Sequence, residues 1–296
     1  MHCKICGEIV SSVVDLGNSP PANSLLEEPN SNIEKYPLVL EYCKNCANLQ
    51  LRDCLDINSL YKHYFYATPK SNTLENHYEY LTRFLESKNY LNKSSNVLEI
   101  GSNLGHYLNF IKNKANSILG IDPAENIVKK ANENGIPTIC DFFTQDSAES
   151  LAKSKKFFDL VIARHCFAHN SSPNNLLNGV KKILSNDGFL IIENAYALNT
   201  IENNEFDQIY HEHMFYFSIQ SMMEAMRRND LKMHDIFLSL IHGGSIVFVA
   251  SHTSSNRLES NALKKHLSYE KNYLNFNSIN LFAKNTFLLK KELNNL

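Results

Sequence analysis

The sequence predicts an α/β protein: a mostly parallel sheet covered by helices on both faces, with a small cysteine-stapled module before it and a helical tail after it. Three observations predict this. From about residue 94, short apolar runs alternate with helical stretches, the pattern of βα units. Two C-x-x-C pairs stand near the N-terminus. The last stretch, Asn277–Leu296, mixes apolar residues with lysines at helical spacing. The expected boundaries are 1–60 for the module, 61–93 for a helical linker contributing to the site, 94–255 for the sheet domain and 256–296 for the tail.

The bulk numbers agree. A chain of 296 residues favours a large domain plus a small one, and 43% hydrophobic residues fill a core. With 29 basic and 31 acidic residues, the chain has no electrostatic footprint for nucleic acid or an anionic membrane. No apolar run approaches bilayer length, and Met-His-Cys-Lys does not open a signal peptide. A cytoplasmic protein is expected, in which seven cysteines are metal ligands or buried thiols rather than disulfides.

Cys3 and Cys6, with Cys43 and Cys46, form the two C-x-x-C pairs. Each pair presents two thiolates from one tight turn, and two such turns complete a tetrahedral S4 shell that suits structural zinc. The Pro/Ser/Asn-rich segment between them needs such a staple. A redox dithiol or unmetallated cysteines are the competing readings. Cys54, Cys140 and Cys166 stand alone in apolar sequence and read as buried small residues.

In the sheet domain, Asn96–Ile100 reads as a buried strand, followed by the loop Gly101-Ser-Asn-Leu-Gly105 and a helix over His106–Lys114. Ser117–Ile121 is a second strand ending on Asp122. Phe158–Ala163 and Phe189–Glu193 are further strands, the latter preceded by a turn at Asn186-Asp-Gly188. Ligands bind beyond the strand C-termini in such sheets, which selects Gly101, Gly105 and Asp122. The glycines let backbone approach a ligand, and an acid about 20 residues on can accept hydrogen bonds from both ribose hydroxyls. The spacing G-x-x-x-G departs from the dinucleotide fingerprint, so an adenosyl nucleoside without pyrophosphate fits better.

These residues carry a resemblance. Val97-Leu-Glu-Ile-Gly-Ser-Asn-Leu-Gly105 with Gly120-Ile-Asp-Pro-Ala124 resembles the first two motifs of class I S-adenosylmethionine (SAM) methyltransferases. The resemblance implies a Rossmann-like SAM methyltransferase sheet. It places Glu99, Gly101, Ser102, Asn103, Gly105, Asp122 and Pro123 at the cofactor, Asp141 and Phe142 near the adenine, and Arg164 on the rim facing the methyl group. A helix N-cap or solvated turn is the other reading of Asp141.

The most distinctive stretch is Glu205–Phe217, containing Tyr210-His-Glu-His213. Histidine takes a proton near neutral pH, and a neighbouring carboxylate can fix its tautomer. The cluster reads as catalytic or substrate-binding, with a structural polar network as the alternative. Together with the cysteine module and His242-Gly-Gly-Ser245, it resembles the nucleotide-sugar C-methyltransferases that make branched deoxysugars. That likeness implies proton abstraction α to a ketone, followed by enolate attack on the SAM methyl group. It places His213 as general base with Tyr210 and Glu212 beside it, His169 as a further site histidine and Tyr66 as an active-site tyrosine.

The sequence departs from that family at three points. Leu104 replaces a loop acid, Tyr64–Ser71 lacks a serine pair, and the tail stops where a further α/β domain would follow. The C-terminal helix is therefore expected to pack on the core or to meet a partner chain or second copy. O- or N-methylation of a sugar or small phosphorylated metabolite, and a non-catalytic zinc/SAM-fold binding protein, are the alternative functions.

Overall fold

The structure is a computed structural model and describes residues 1–23, 33–61 and 67–295. β1 (Ser11–Ser19), β2 (Tyr36–Tyr42) and β3 (Leu49–Leu51) form an antiparallel sheet in the N-terminal module. Two helices lead to the main domain: α1 (Ile57–Tyr61) and α2 (Asn72–Ser87). Ser71 starts α2 by accepting the Leu74 N–H at 3.2 Å. Buried His77, Tyr78, Leu81, Thr82 and Leu85 recur at the helical period, so one face of α2 packs on the sheet.

The main domain runs through β4 (Asn96–Ile100), α3 (His106–Ile111), β5 (Ser117–Asp122), α4 (Glu125–Glu133) and β6 (Thr138–Cys140). It continues with α5 (Gln145–Lys153), β7 (Phe158–Arg164), α6 (Pro173–Ile183), β8 (Leu184–Ala195) and α7 (Ala197–Glu202). Then come β9 (Phe215–Tyr216), α8 (Ile219–Arg228), β10 (Leu231–Ser239) and β11 (Ser245–His252). The tail is α9 (Asn261–Tyr273) and α10 (Phe276–Leu293).

Seven strands form the central sheet in the order β10-β11-β8-β7-β4-β5-β6. β8, β7, β4, β5 and β6 are parallel, whereas β11 runs antiparallel to both its neighbours. Strand order reverses at β4, which lies between β5 and β7, and that reversal opens a crevice at the strand C-termini. Alternation along each strand feeds two cores. Leu98, Ile100, Val161, Ala163 and Ile192 face one, and Val97, Leu160, Ile162 and Ile191 face the other.

The first core runs without a break into the N-terminal module, taking in Leu40, Leu49, Leu51 and Phe215. The backbone joins the two as well. β9 pairs with β3 as the fourth strand of the module's sheet, Leu49 opposite Tyr216, and the Leu51 N–H donates to the Met214 carbonyl at 2.9 Å.

Two expectations are corrected. The turn at Asn186–Gly188 is a wide bulge inside β8: Phe158 pairs with Leu184, but Leu160 pairs with Phe189. Gly188 fits closely there, because a Cβ would lie 2.9 Å from Leu184 Cδ1 and 3.0 Å from the Phe158 carbonyl oxygen. Cys140 is exposed at the end of the edge strand rather than buried, and Cys54 and Cys166 are only partly buried. Within residues 256–296 the tail consists of two helices, α9 and α10.

α9 locks onto the core through Glu270. Its buried carboxylate accepts the Ile219 and Gln220 N–H groups at the α8 N-terminus and the Tyr196 hydroxyl. α10 buries Ile279, Phe282 and Thr286 and leaves Leu281, Phe287 and Leu288 exposed. Among the described residues, no helix is long and apolar enough to cross a membrane.

Candidate active site and metal centre

The four module cysteines converge. Their sulfurs lie within 4.8 Å of one another, with Cys3 to Cys46 at 3.7 Å and Cys6 to Cys43 at 3.5 Å. Tetrahedral ligands about 2.3 Å from a zinc ion stand roughly 3.8 Å apart, so this donor set fits zinc and leaves no open coordination position. The two turns match in backbone: Gly7 and Ala47, each just after a second cysteine, have φ of 82° and 53°. Cys54 lies outside this set, with its sulfur 2.5 Å from the Lys4 Nζ.

At the sheet's reversal point lies a cavity of about 690 Å³. Of the residues expected at a cofactor, Gly101, Asn103, Asp122, Pro123, Asp141, Phe142 and Arg164 line it. Gly101 has φ +64°, and a Cβ there would lie 2.6 Å from that of Cys166. Asp122 is held from behind, its two carboxylate oxygens accepting the Asn103 N–H at 2.9 Å and the Ala124 N–H at 3.0 Å. Burial raises its carboxyl pKa, and those two donors oppose the rise. Each oxygen keeps a further lone pair for a ligand hydroxyl.

Glu99, Ser102 and Gly105 do not line the cavity. Glu99 is buried and receives Nε and Nη2 of Arg164 at 3.0 and 2.8 Å, an ion pair whose guanidinium also lies over Tyr107. Ser102 packs where a Cβ on residue 120 would otherwise stand. Gly105 opens α3 in a left-handed conformation, against Ile136. Arg164 is the only lysine or arginine among the described lining residues, against Asp122, Asp141 and Glu212. A wall of that sign suits a cationic sulfonium cofactor.

Tyr210, Glu212, His213 and His169 also line the cavity, while Tyr66 lies outside the described residues. His213 Nδ1 is 3.2 Å from the Gln208 carbonyl, which can only accept, so the hydrogen is on Nδ1. Nε2 is then the lone pair, and the Tyr210 hydroxyl donates to it at 2.7 Å. Burial lowers His213 to about 4, so the imidazole is neutral at pH 7. His169 packs 5.1 Å from the His213 ring, has Nδ1 3.0 Å from the Tyr61 hydroxyl, and is held well below the usual range by burial.

His211 faces away from this group. It is buried, with Nε2 3.3 Å from the Tyr36 and Pro37 carbonyls of the module. Glu212 accepts from the Asn23 side chain at 2.6 Å, so residues 210–213 sit between the module and the sheet. Module and linker residues Ala22, Asn23, Ile57 and Tyr61 complete the wall.

Sequence reasoning missed a second polar group. His165 and His242 line the cavity, their rings edge to face at 4.7 Å. Behind them Glu193 is fully buried, with Oε1 2.8 Å from His77 Nε2 and Oε2 3.8 Å from His165 Nε2. Burial alone would raise the Glu193 pKa, but the imidazoles outweigh it and hold it at about 2. Burial drives His165 down to about 3. Asn194, next along β8, also lines the cavity, and its amide atoms have no hydrogen-bond partner among the described residues.

Comparisons with known proteins give a consistent picture. Residues 73–236 match the family described as "Methyltransferase domain", and residues 3–61 match "Putative zinc binding domain". The chain is 31% identical over 273 residues to the C-methyltransferase NovU of Streptomyces niveus, an alignment covering 91% of this chain. The chain spans 65% of the length of that relative. It is 28% identical over 105 residues to the uncharacterized methyltransferase YcgJ of Bacillus subtilis, covering 34% of this chain and 41% of the relative. Magnesium protoporphyrin IX methyltransferase from Synechocystis PCC 6803 is a similar solved structure, with TM-score 0.47 and 13% identity, covering 63% of this chain and 90% of that one.

Proposed function

The chain belongs to the SAM-dependent methyltransferases and carries a zinc-binding module, and we propose that it methylates a carbon atom next to a ketone on a nucleotide-activated deoxysugar. The observation that carries this reading is the Tyr210–His213 pair. A hydroxyl acceptor needs only a modest base, whereas a carbon nucleophile must first lose a proton bound to carbon, which is far less acidic. A tyrosine whose hydrogen points at a neutral, tautomer-fixed imidazole suits that task. The α-proton moves to Tyr210 Oη as the tyrosine's own hydrogen moves to His213 Nε2, leaving an enolate on the acceptor and an imidazolium in the pair. The Gln208 carbonyl then stabilises the charged ring through Nδ1.

SAM, when bound, supplies the electrophilic methyl group. Asp122 would hold the ribose, Gly101 would let the backbone close on the cofactor, and Asp141 with Phe142 would border the adenine. Asn194 would offer its amide N–H to the enolate oxygen, the kind of fixed donor that stabilises charge developing in the transition state. Zinc would hold the module that carries Asn23 against Glu212. The likeness to NovU, a C-methyltransferase by name, supports carbon as the target.

The test is incubation of the protein with a thymidine- or uridine-diphosphate 4-keto-6-deoxyhexose in D₂O, with methyl-labelled SAM. Solvent deuterium should enter the position α to the ketone, and the methyl label should appear on carbon. Methyl transfer without exchange would instead support O- or N-methylation, and no SAM binding by an intact fold would support the non-catalytic alternative.

A further inference from the structure

The group behind β8 is not used by the chemistry above, and its geometry is specific. His165 and His242 are both held in the left-handed backbone region, with φ of 51° and 52°. Non-glycine residues there are strained and persist where the surroundings impose them. The surroundings are visible: the His165 N–H donates to the Glu193 carbonyl at 2.7 Å, and the Glu193 carboxylate sits behind the ring.

That carboxylate decides which nitrogen of His165 carries hydrogen. Nε2 is buried, makes no hydrogen bond and lies 3.8 Å from Glu193 Oε2. A lone pair there would face an anion, so the hydrogen belongs on Nε2. The side chain is nevertheless 28% exposed. The remaining nitrogen, Nδ1, is therefore the one open to the cavity, as a lone pair. His77 closes the far side of Glu193 at 2.8 Å, and its Nδ1 is 3.2 Å from the Ser239 hydroxyl, so the carboxylate cannot turn away.

We propose that Glu193 is a positioning residue that fixes His165 as a neutral hydrogen-bond acceptor for a hydroxyl of the acceptor molecule, a recognition contact separate from the Tyr210–His213 base. It rests on the reading of this cavity as the site for a sugar nucleotide. Burial keeps His165 unprotonated, consistent with an acceptor role. His242 flanks the ring and limits its rotation, while Arg164, the nearest cation of the wall, is occupied by Glu99. A hydroxyl is the ligand group that suits a neutral lone pair at this position, whereas a phosphate oxygen or a ketone would be repelled.

The experiment has two arms. Ring-¹⁵N spectra of the labelled protein should show His165 as the single Nε2–H tautomer, not titrating between pH 5.5 and 9. Glu193→Gln should mix the tautomers and Glu193→Asp should largely restore one. An unchanged His165 signal in Glu193→Gln overturns the positioning role. In the second arm, the protein saturated with S-adenosylhomocysteine is titrated with the 4-keto-6-deoxyhexose nucleotide and with its 2-deoxy and 3-deoxy analogues. One deletion should weaken wild-type binding about tenfold, and that difference should vanish in His165→Phe. Equal wild-type binding of all three, or discrimination kept in His165→Phe, overturns the contact while leaving the substrate class intact. If none of the three binds, the substrate class falls and the contact with it, and the tautomer arm still reports on Glu193.

Discussion

Tyr210 Oη lies 2.7 Å from His213 Nε2 and is the donor, because the other ring nitrogen is committed to the Gln208 carbonyl. In the proposed reaction the histidine therefore meets the acceptor through the tyrosine, and the two residues act as one unit.

Removing either member of that unit should cost about the same. Tyr210→Phe and His213→Gln are each expected to slow solvent exchange at the α-carbon by about 10²–10⁴-fold. The double variant should be little worse than either single one. Binding of S-adenosylhomocysteine, measured by calorimetry, should be unchanged. Strictly multiplicative losses would show that the two residues act separately.

The pH dependence has a definite sign. His213 accepts a proton only while neutral, so exchange should be sustained through the neutral range and lost as pH falls through about 4. An acid limb near the ordinary histidine pKa of about 6.5 would mean that the ring is solvated during turnover.

Stability should fail at higher pH than activity alone suggests. His165, His213 and His234 have folded pKa values lowered by burial to about 3, 4 and 4, and burial holds His169 well below the usual range as well. The unfolded chain binds their protons below about 6.5 and the folded chain does not, so stability falls as pH drops from there. Each histidine contributes about 1.4 kcal/mol per pH unit, for a combined slope on the order of 5 kcal/mol per unit. Urea melts at pH 7, 6 and 5 measure the slope, and His213→Gln should reduce it by roughly a quarter. A flat profile over that range would contradict the burial of these rings.

Gly101→Ala should damage both folding and cofactor binding. It places a Cβ 2.6 Å from that of Cys166 and asks alanine to hold φ +64°. The backbone strain alone costs about 1–3 kcal/mol. Adding Cys166→Gly should restore only the part due to contact, which thermal melts of the single and double variants will separate.

Metal removal should be felt just beyond Tyr210 and His213. Chelation, or Cys43→Ser, is expected to speed backbone hydrogen exchange at Leu49–Leu51 and also at Phe215–Tyr216, because β3 and β9 share a ladder. Exchange in β4 and β5 should change little. Protection at Phe215–Tyr216 that survives metal loss would show that β9 is held by the sheet domain alone.

Much of this arrangement was legible beforehand, for local reasons. β4 and β5 are contiguous apolar runs ended by a glycine or an acid, and the cysteine pairs announce themselves by spacing. Tyr210 and His213 are neighbours in sequence and in space. The His77–Glu193–His165–His242 group was not legible, because four separated segments supply it and only the sheet register brings them together. The spacing within Tyr210–His213 does not say where His211 points, and the local backbone turns it to the module. The Asn186-Asp-Gly188 triplet carries a strong turn signal, but pairing with β7 resumes around it and makes it a bulge.

The strand pairing of Leu49 with Tyr216 also bears on how the protein is made. The N-terminal module leaves the ribosome first, yet its sheet lacks a fourth strand until the chain beyond residue 217 has emerged. During synthesis β3 therefore presents an open edge, the kind of surface on which nascent chains stick to one another. Closing that edge requires the sheet domain to place β9 beside it. The pairing that completes the module's sheet thus also fixes the chain immediately after Tyr210 and His213.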